Sequence, residues 1–235
     1  MKLVKNQNSA IGYRFPSLTK GDTVFHAIRR AILLREIDAG QPLTEQQIGH
    51  EFNCSQGTVR EALMRLQEEG LVQRRGYRGT TVCRSSIAEA AQMAEIRIKL
   101  EVEGISRAVN LFKEKDFAEI EEYLAQMEQV AQTGDSYGLS ELDRKFHLAI
   151  FRRSALLALE PILKRCMLHM HLQTFGNPEV DHSDFSTTEA HQPIIDALRA
   201  RDPERAALAM KEHISAIISL GSPSLKSALD ALEGR

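Results

Sequence analysis

Residues 44–72, TEQQIGHEFNCSQGTVREALMRLQEEGLV, contain the pattern that decides the fold of the first part of this chain. Thr44 followed three positions later by Gln47 has the form of a capping box, which predicts the start of a short helix. Ser55 predicts the N-cap of a second helix, and Gly70 is the residue type expected just after its end. The stretch therefore predicts two short helices joined by a tight turn.

The residues on either side extend this pair into a larger unit. Upstream, apolar residues recur at helical spacing from about Asp22, which predicts a helix that stops near Gly40. Downstream, Leu71–Val72 and Thr80–Val82 favour two short strands, and the segment RRGYRG between them is a basic hairpin punctuated by glycine. Three helices followed by a basic β-hairpin form a winged helix-turn-helix pattern.

The charge of the chain is divided unevenly along its length. Residues 1–84 carry 13 Lys and Arg against 8 Asp and Glu, whereas residues 85–235 carry 17 against 24. A basic first part and an acidic second part suggest that only the first part meets a polyanion. Ordinary scatter of surface charge is the alternative explanation.

The second helix of the pair has a polar face suited to DNA. Gln56 and Arg60 are four residues apart near its N-terminus, the part of a helix-turn-helix that reaches base edges in the major groove. Arginine can read guanine and glutamine can read adenine. The alternative is that Arg60 pairs with a glutamate of its own helix and that the hairpin arginines are merely solvated. The contacts predicted from the residues are Gln56 and Arg60 in the groove, Ser55 and Thr58 on phosphates, and Arg74, Arg75 and Arg78 on the backbone or minor groove.

The run of residues 40–82 resembles the DNA-binding domain of GntR-type bacterial transcription regulators. The resemblance rests on PLTE at 42–45, SxxTVREAL at 55–63, EGLV at 69–72 and GTxV at 79–82. The DNA contacts that it implies are Arg60 above all, with Ser55, Thr58 and Gly79 of the wing. Gln56 stands where the family commonly has arginine, so the operator is expected to differ from the common one.

From residue 85 onward the pattern is almost entirely helical. The periodicity over residues 87–221 predicts six or seven helices packed antiparallel through short loops. We expect an arm at 1–18, a winged helix-turn-helix domain at 19–84, an all-helical domain at 85–221 and a tail at 222–235 that can end in a loosely held helix. The predicted fold class is therefore mainly α, with a small β wing.

Composition excludes several classes of protein. Of the 235 residues, 43% are hydrophobic and 26% charged, which is too apolar for a disordered chain. The longest apolar run, from Ala155 to Leu159, is far too short for a membrane helix. Three separated cysteines without a Cys-x-x-Cys pair, and an N-terminus without a secretion segment, lead us to expect a cytoplasmic protein with reduced thiols.

Two residues of the helical part have the spacing of a chelating pair. Asp143 and His147 are four positions apart on a predicted helix whose apolar stripe includes Phe146 and Ile150. Both side chains are therefore expected to point into the domain. An Asp and a His one turn apart can bind one ion.

A second pair of histidines is placed symmetrically about a helix break. Asp202-Pro203 predicts the start of a helix, with Asp202 as its cap and Pro203 at its first position. His191 lies eleven residues before Asp202, and His213 lies eleven residues after it. In an antiparallel hairpin both stand roughly 16 Å from the turn, at ~1.5 Å per residue. With the inward Asp–His pair they form a buried site of three nitrogens and one oxygen.

The alternative for each histidine is a core position satisfied by hydrogen bonds. His169 and His171 are two apart on a helix and are not expected to face the core together. His171 is a candidate for the cavity lining, although structural packing is the simpler role for both. His182 falls in a polar loop and is assigned no role.

Residues 87–221 resemble the all-helical effector-binding domain, of the FCD type, of the FadR subgroup of GntR regulators, in its metal-binding form. Asp143, His147, His191 and His213 match the metal ligands of that family in kind and order. The resemblance implies a divalent ion such as zinc or nickel. It also implies a small carboxylate bound in the same cavity.

The same resemblance extends to the first helix of the domain. The pattern Arg97-x-x-x-Glu101 is similar to one in the family whose arginine reaches the ligand cavity. The alternative is an Arg97–Glu101 ion pair on the helix surface. A departure follows the Asp–His helix, where Arg153-Ser154-Ala155 replaces the Gly-Asn pair usual in the family.

These observations predict a DNA-binding transcription regulator, most simply a repressor, that acts as a homodimer on a palindromic operator. Its helical domain is expected to bind a divalent metal, zinc first, although nickel, manganese and iron also suit three His and one Asp. A small carboxylate effector then modulates operator binding. One alternative is a metal sensor whose effector is the ion itself. The other is a metalloenzyme, but no general base of the zincin type accompanies the site, so no enzymatic activity is predicted.

Overall fold

A computed structural model describes residues 19–74, 76, 79–174 and 188–234. Within these residues the chain divides into two units, one ending at Arg84 and the other beginning at Ser85. The predicted arm at 1–18 lies outside the described residues, as does His182.

Helix α1 (Lys20–Leu33) opens the first unit. Its N-terminus is closed by a capping box in which the Thr19 hydroxyl accepts a hydrogen bond from the Asp22 amide at 3.1 Å, and the Asp22 carboxylate accepts one from the Thr19 amide at 3.2 Å. The helix ends well before the predicted stop at Gly40. Arg35 adopts a left-handed conformation with φ 56°, which no helix can continue.

Helices α2 (Glu45–Glu51) and α3 (Gln56–Glu68) form the predicted pair. The cap at Ser55 is confirmed, since its hydroxyl accepts from the Thr58 amide at 3.1 Å. The capping box predicted at Thr44 does not form: the residue occupies the N-cap position but its side chain makes no capping hydrogen bond. Gly70 follows α3 with φ 78°, as expected of a terminal glycine.

A three-stranded antiparallel sheet completes the unit, in the order β1 (Pro42–Leu43), β3 (Thr80–Val82), β2 (Val72–Arg74). Strand β1 is absent from the sequence-based prediction because a two-residue strand that begins with proline has no alternating pattern to indicate it. Proline is tolerated on an edge strand, where its missing N–H faces away from the ladder. Leu43 pairs with Thr80 across β1 and β3, which ties the start of α2 to the wing.

The first unit is held by packing of α1 and α2 on α3. Each fully buried aliphatic side chain contributes about 1.5–3 kcal/mol relative to an exposed one. The buried aliphatic residues include Val24, Ile28, Ile32, Leu43, Ile48, Val59, Leu63, Leu66 and Leu71. The polar N-terminus of α3 is therefore carried on a rigid support.

The second unit is helical throughout its described residues. Its elements are α4 (Ile87–Ala108), α5 (Glu114–Ala131), α6 (Ser136–Phe151), a short 3₁₀ helix (Leu157–Leu159), α7 (Glu160–Thr174), α8 (Thr188–Arg199), α9 (Pro203–Gly221) and α10 (Pro223–Glu233). Helix α4 packs against α6, α7, α9 and α10, and α5 packs against α6 and α8. Among the described helices, none has both the length and the apolar character that crossing a membrane requires.

Helix α10 differs from the loosely held tail expected from sequence. Ser222 caps it, and Leu225 and Leu229 are 0% and 3% exposed where the helix packs on α4 and α9. The periodicity of this segment is weak because only two buried leucines anchor its three turns.

The junction after α6 carries backbone strain. Ala155 has φ 60°, in the left-handed region that glycine or asparagine adopts with least penalty. The Ser154 hydroxyl accepts a hydrogen bond from the Leu156 amide at 3.1 Å and holds this turn in place. Ala155, at the place of the expected Gly-Asn pair, therefore holds a left-handed turn with a less suited residue.

Candidate metal centre and DNA-reading surface

Three helices bring the four predicted ligands together. Helix α6 supplies Asp143 and His147, α8 supplies His191 and α9 supplies His213. One ligand atom from each lies within 4.8 Å of the others, and every one of the four residues is buried. The fold thus gathers side chains separated by up to 70 positions in sequence.

The atoms converge on the carboxylate of Asp143. Its Oδ1 lies 3.4 Å from Nε2 of His191, 3.6 Å from Nε2 of His147 and 4.0 Å from Nε2 of His213. The Nε2 atoms of His147 and His213 are 3.2 Å apart. Two nitrogens that bind one zinc ion at ~2.1 Å with tetrahedral geometry are roughly 3.4 Å apart, so the spacing has the scale of a metal site.

The hairpin of α8 and α9 accounts for the match between the two distant histidines. Asp202 caps α9 by accepting a hydrogen bond from the Arg205 amide at 3.0 Å, and Pro203 is its first residue, as predicted. The helices then pack against each other, which brings the rings of His191 and His213 to 4.3 Å between centroids.

Outer contacts orient two of the rings. Nδ1 of His147 lies 2.5 Å from the Glu101 carboxylate, and Nδ1 of His213 lies 3.1 Å from the carbonyl oxygen of Ala190. In each case the ring donates a proton from Nδ1, so Nε2 is left to face the cluster. Contacts of this kind fix the tautomer and orientation of histidines that bind metals.

Arg97 and Glu101 form an ion pair, but not on the helix surface. Nε of Arg97 donates to Oε1 of Glu101 at 2.5 Å, and Nη1 lies 3.2 Å from the sulfur of Met170. Arg97 is 0% exposed and Glu101 is 2% exposed, so the alternative of a surface pair is wrong about location. Nη2 of Arg97 is buried and makes no hydrogen bond with the described residues.

The charged groups of the cluster set one another's protonation. Burial opposes charge on Asp143, but His147 outweighs it and holds the pKa of Asp143 well below its ordinary value. Burial also opposes charge on His147, yet the carboxylates of Glu101 and Asp143 raise the pKa of His147 to about 9. Burial and the nearby His191 and His147 keep the pKa of His213 well below its ordinary value. One charged histidine thus balances the carboxylates, and a cation can supply the same charge.

His169 and His171 are both buried, which corrects the expectation that they could not both face the core. Helix α7 packs against α4, α6 and α9, so more than one of its faces is covered, and the whole segment Cys166–His171 is buried. Nε2 of His171 lies 3.4 Å from Oδ2 of Asp143, which puts His171 beside the metal cluster.

A cavity of about 280 Å³ opens at the surface between α8 and α9. Of the four clustered residues, His213 is the one that lines it, together with Glu189 and Glu212 from the same two helices. His213 is 6% exposed, against 0% for Asp143, so the cavity meets the cluster at its most accessible member.

The predicted DNA contacts at the start of α3 lie on an exposed surface. Ser55 and Gln56 are exposed, and the hydroxyls of Ser55 and Thr58 are 2.9 Å apart. Gly79 is exposed with φ 79°. Arg75 and Arg78 lie outside the described residues, so their positions in the wing stay a prediction.

Arg60 pairs with a glutamate of the preceding helix rather than of its own. Its Nη2 and Nε lie 2.9 and 3.3 Å from the two carboxylate oxygens of Glu45 at the start of α2. Arg74 at the end of β2 shares this carboxylate at 3.3 Å. Sequence reasoning missed Glu45, and it considered Glu101 only as a surface partner of Arg97, because a partner on another helix leaves no spacing signal. Both residues lie within quoted motifs, PLTE and Arg97-x-x-x-Glu101, which is the one signal that points to them.

A winged helix-turn-helix followed by a helical unit with a buried ligand cluster defines a DNA-binding transcription regulator. Comparison with protein families gives the same answer at both ends of the chain. Residues 20–82 match the bacterial regulatory proteins of the gntR family, and residues 92–216 match the FCD domain. The chain belongs to the GntR family and carries an FCD domain.

Relatives and solved structures are regulators of the same kind, not enzymes. The chain is 28% identical over 208 residues to the transcriptional repressor RspR of Escherichia coli K12, covering 86% of this chain and 89% of that protein. It is 28% identical to a Paenarthrobacter nicotinovorans protein named as the probable D-xylose utilization operon transcriptional repressor, over 83% and 88% of the two chains. The fold is similar to that of McbR/YncC of E. coli, with a TM-score of 0.70 at 22% identity, over 86% of this chain and 96% of the other.

Proposed function

We propose that this protein is a repressor whose helical domain binds a divalent metal ion and a small carboxylate that together modulate operator binding. The observation that carries the proposal is the convergence of Asp143, His147, His191 and His213 within 4.8 Å inside an FCD domain. These four residues match, in kind and order, the metal ligands of the FadR subgroup in its metal-binding form. We assign DNA binding to residues 19–84 and ligand binding to residues 85–221.

The residues present fit a metal ion. Both carboxylate oxygens of Asp143 are buried, and neither accepts a hydrogen bond of normal geometry from the described residues. Burying a carboxylate that lacks hydrogen bonds of normal geometry is costly, and a bound cation reduces that cost. Three imidazoles and one carboxylate suit zinc first, with nickel, manganese or iron also compatible. A bound ion supplies a positive centre to which a carboxylate oxygen can bind.

Two buried side chains support the proposal of a carboxylate effector. Arg97 has a buried Nη2 with no described hydrogen-bond partner, and guanidinium groups bind carboxylates in a fixed, often bidentate geometry. His171 lies against the Asp143 carboxylate at the edge of the cluster. A small acid that meets both the ion and Arg97 is held at two points.

On the DNA side, we assign the major-groove contacts to the exposed start of α3. Arg60 is 52% exposed at its side chain, so it can leave Glu45 for a base edge at little energetic cost. One such unit makes few base contacts, so specificity at operator level requires a homodimer on a palindromic site. The full set of proposed contacts is Ser55, Gln56, Thr58, Arg60, Arg75, Arg78 and Gly79.

The effector switches the protein only if it binds the DNA-competent and DNA-free conformations with different affinity. The ligands of the cluster come from α6, α8 and α9, so closing them on an ion and an acid changes the packing of three helices. That change in helix packing is the reason why the effector binds the DNA-competent and DNA-free conformations with different affinity.

The DNA part is tested with a duplex enriched from random sequence by repeated selection on the wild-type protein. Arg60→Ala is expected to abolish the mobility shift, since each bidentate base contact contributes about 1–3 kcal/mol and the proposed homodimer loses two of them. Arg30→Ala is the matched control, because Arg30 is also exposed and paired with a glutamate, Glu36, but lies on α1. Equal DNA affinity of the Arg60 variant and the wild type refutes the assigned role.

The ligand part is tested by native mass spectrometry with elemental analysis of protein purified from its own host. One ion per subunit and a retained acid are expected, on a dimer. Titration of the ion against DNA affinity, with and without candidate acids, separates two regulators. If DNA affinity follows the ion alone, the protein is a metal sensor and the carboxylate role is wrong.

A further inference from the structure

We infer that Glu101 is a positioning residue of the metal centre: it holds His147 in the orientation that presents Nε2 to the ion. The inference rests on the proposed function, because it concerns the same cluster. Glu101 belongs to α4, whereas the four proposed ligands belong to α6, α8 and α9.

The contact with His147 determines the tautomer of the ring. Oε2 of Glu101 lies 2.5 Å from Nδ1 of His147, and both side chains are at most 1% exposed. A carboxylate can only accept a hydrogen bond here, so Nδ1 keeps its proton and Nε2 is the nitrogen that offers a lone pair when an ion binds. Nε2 is the atom that lies 3.2 Å from His213 Nε2 and 3.6 Å from Asp143 Oδ1.

The contact with Arg97 holds Glu101 itself in place. Oε1 accepts from Nε of Arg97 at 2.5 Å, so each oxygen of the carboxylate has its own partner. Arg97 is one turn earlier on the same helix and is 0% exposed. The carboxylate therefore has no alternative partner in water, and its hold on His147 is as rigid as the packing of α4 against α6.

The experiment is a cobalt(II) titration of the full-length, metal-free protein, followed by the visible ligand-field bands of the ion and by competition with a chelator. Outer contacts of this kind are generally worth about 10- to 100-fold in metal affinity. We expect a loss of about tenfold for Glu101→Gln, whose amide oxygen still accepts from Nδ1, with the bands of the wild type. Glu101→Leu, which has no acceptor, is expected to lose about 100-fold and to show shifted bands.

Asp116→Asn is the matched control. Asp116 is another buried carboxylate of the same unit, 3% exposed. Its partners are Arg153 at 2.6 Å and the Lys113 amide, neither of which belongs to the cluster. The control is expected to bind cobalt with wild-type affinity and bands. A loss equal to that of the Glu101 variants indicates a general effect of buried charge and overturns the inference.

The remaining outcomes separate the inference from the proposed function. If the wild type binds no cobalt, the metal centre and the role of Glu101 are both wrong. If the wild type binds and Glu101→Leu binds equally well, only the role of Glu101 is wrong. If Glu101→Leu does not fold, as judged by circular dichroism, Glu101→Gln decides alone, and unchanged affinity in that variant overturns the inference.

Discussion

The two units of this molecule use charged side chains in opposite ways. In the DNA-reading unit, Arg60 and Glu45 pair at the surface, with 52% and 21% of their side chains exposed. In the helical unit, Arg97 and Glu101 pair with at most 1% of either side chain exposed. An exposed pair contributes little to stability and is easily exchanged, whereas a buried charge that loses its partner is strongly destabilising.

This contrast matches the partner that each surface is proposed to meet. DNA is large and arrives from solvent, so the side chains that read it have to be accessible and able to change partners. A metal ion is small and has to be stripped of water, so its ligands are preassembled and buried.

Removing the carboxylate shared by the three histidines tests the buried half of the comparison most severely. Asp143→Asn keeps the side-chain volume but removes the negative charge on which the Nε2 atoms converge. We expect cobalt or zinc affinity to fall by more than about 100-fold, since outer contacts alone account for 10- to 100-fold. Chelator competition measures the loss. His169→Gln changes a buried histidine outside the four-residue cluster and is expected to retain affinity; wild-type affinity of Asp143→Asn contradicts the proposed centre.

The pH dependence of metal-free stability tests whether the buried charges are coupled. The pKa of His147 is raised to about 9 from an ordinary value of 6.5, so its stabilisation is complete below 6.5 and is lost as the pH rises to 9. The loss is on the order of 3 kcal/mol, at about 1.4 kcal/mol per pKa unit. The lowered pKa of His213 acts at the other end, because stability falls as the pH drops below 6.5 and the unfolded chain takes up a proton.

Urea unfolding between pH 5 and 9 with a chelator present measures this profile. His147→Gln is expected to flatten the limb above pH 6.5 and to make the limb below it shallower, because His147 helps to lower the pKa of His213. Added zinc is expected to abolish the upper limb as well, because the ion replaces the proton between the carboxylates and the rings. A profile with the same upper limb in His147→Gln is incompatible with the assigned coupling.

Glu45→Gln tests the exposed half of the comparison. The pair is at the surface, so the free energy of unfolding is expected to change little. The glutamine no longer orients Arg60 and no longer repels phosphates, so affinity for unrelated duplexes rises and the ratio of specific to non-specific binding falls about tenfold. Fluorescence anisotropy with selected and scrambled duplexes measures the ratio. An unchanged ratio shows that Glu45 has no part in the recognition of the DNA sequence.

The smallest effect is expected at the strained junction after α6, and it separates stability from the metal centre. Ala155→Gly relieves a left-handed residue at φ 60° and is expected to stabilise the protein by about 1 kcal/mol, or roughly 3 °C in Tm. Ala125→Gly is the control of opposite sign, since Ala125 is exposed in the interior of α5, where glycine costs about 1 kcal/mol. Neither variant is expected to change metal affinity; a drop in Tm for Ala155→Gly contradicts the strain.

The parts of the structure that local chemistry determines could be predicted from sequence. The caps at Ser55 and Asp202 could be predicted because a hydroxyl or carboxylate just before a helix accepts a hydrogen bond from a backbone amide of the first turn. The sequence predicted that His191 and His213 face each other, because the rise per residue of a helix is constant and Asp202-Pro203 locates the turn between the two helices. Errors arose where local signals were silent, as at Arg35, whose left-handed conformation ends α1 early, or misleading, as at Thr44, where the capping-box pattern is present but the hydrogen bond is not.

Partner choice between elements could not be predicted. For Arg60 the alternative to a DNA contact was a glutamate of its own helix, and for Arg97 the alternative to the ligand cavity was a surface pair with Glu101. The structure gives Arg60 a partner on α2 and buries the Arg97 pair under α7, since Met170 of that helix contacts Arg97. Such contacts depend on how helices pack, and packing is set by many side chains at once.

The amino-acid sequence by itself determined the two kinds of domain, the order of their elements and the residues able to bind a cation, because periodicity, caps and ligand spacing are local properties of a chain. Only the tertiary structure decided that a glutamate of α4 orients a histidine of α6, and that a glutamate of α2 holds the arginine that α3 presents. The physical reason is that a side chain's partner depends on distances in space, which the spacing of residues along a chain does not contain.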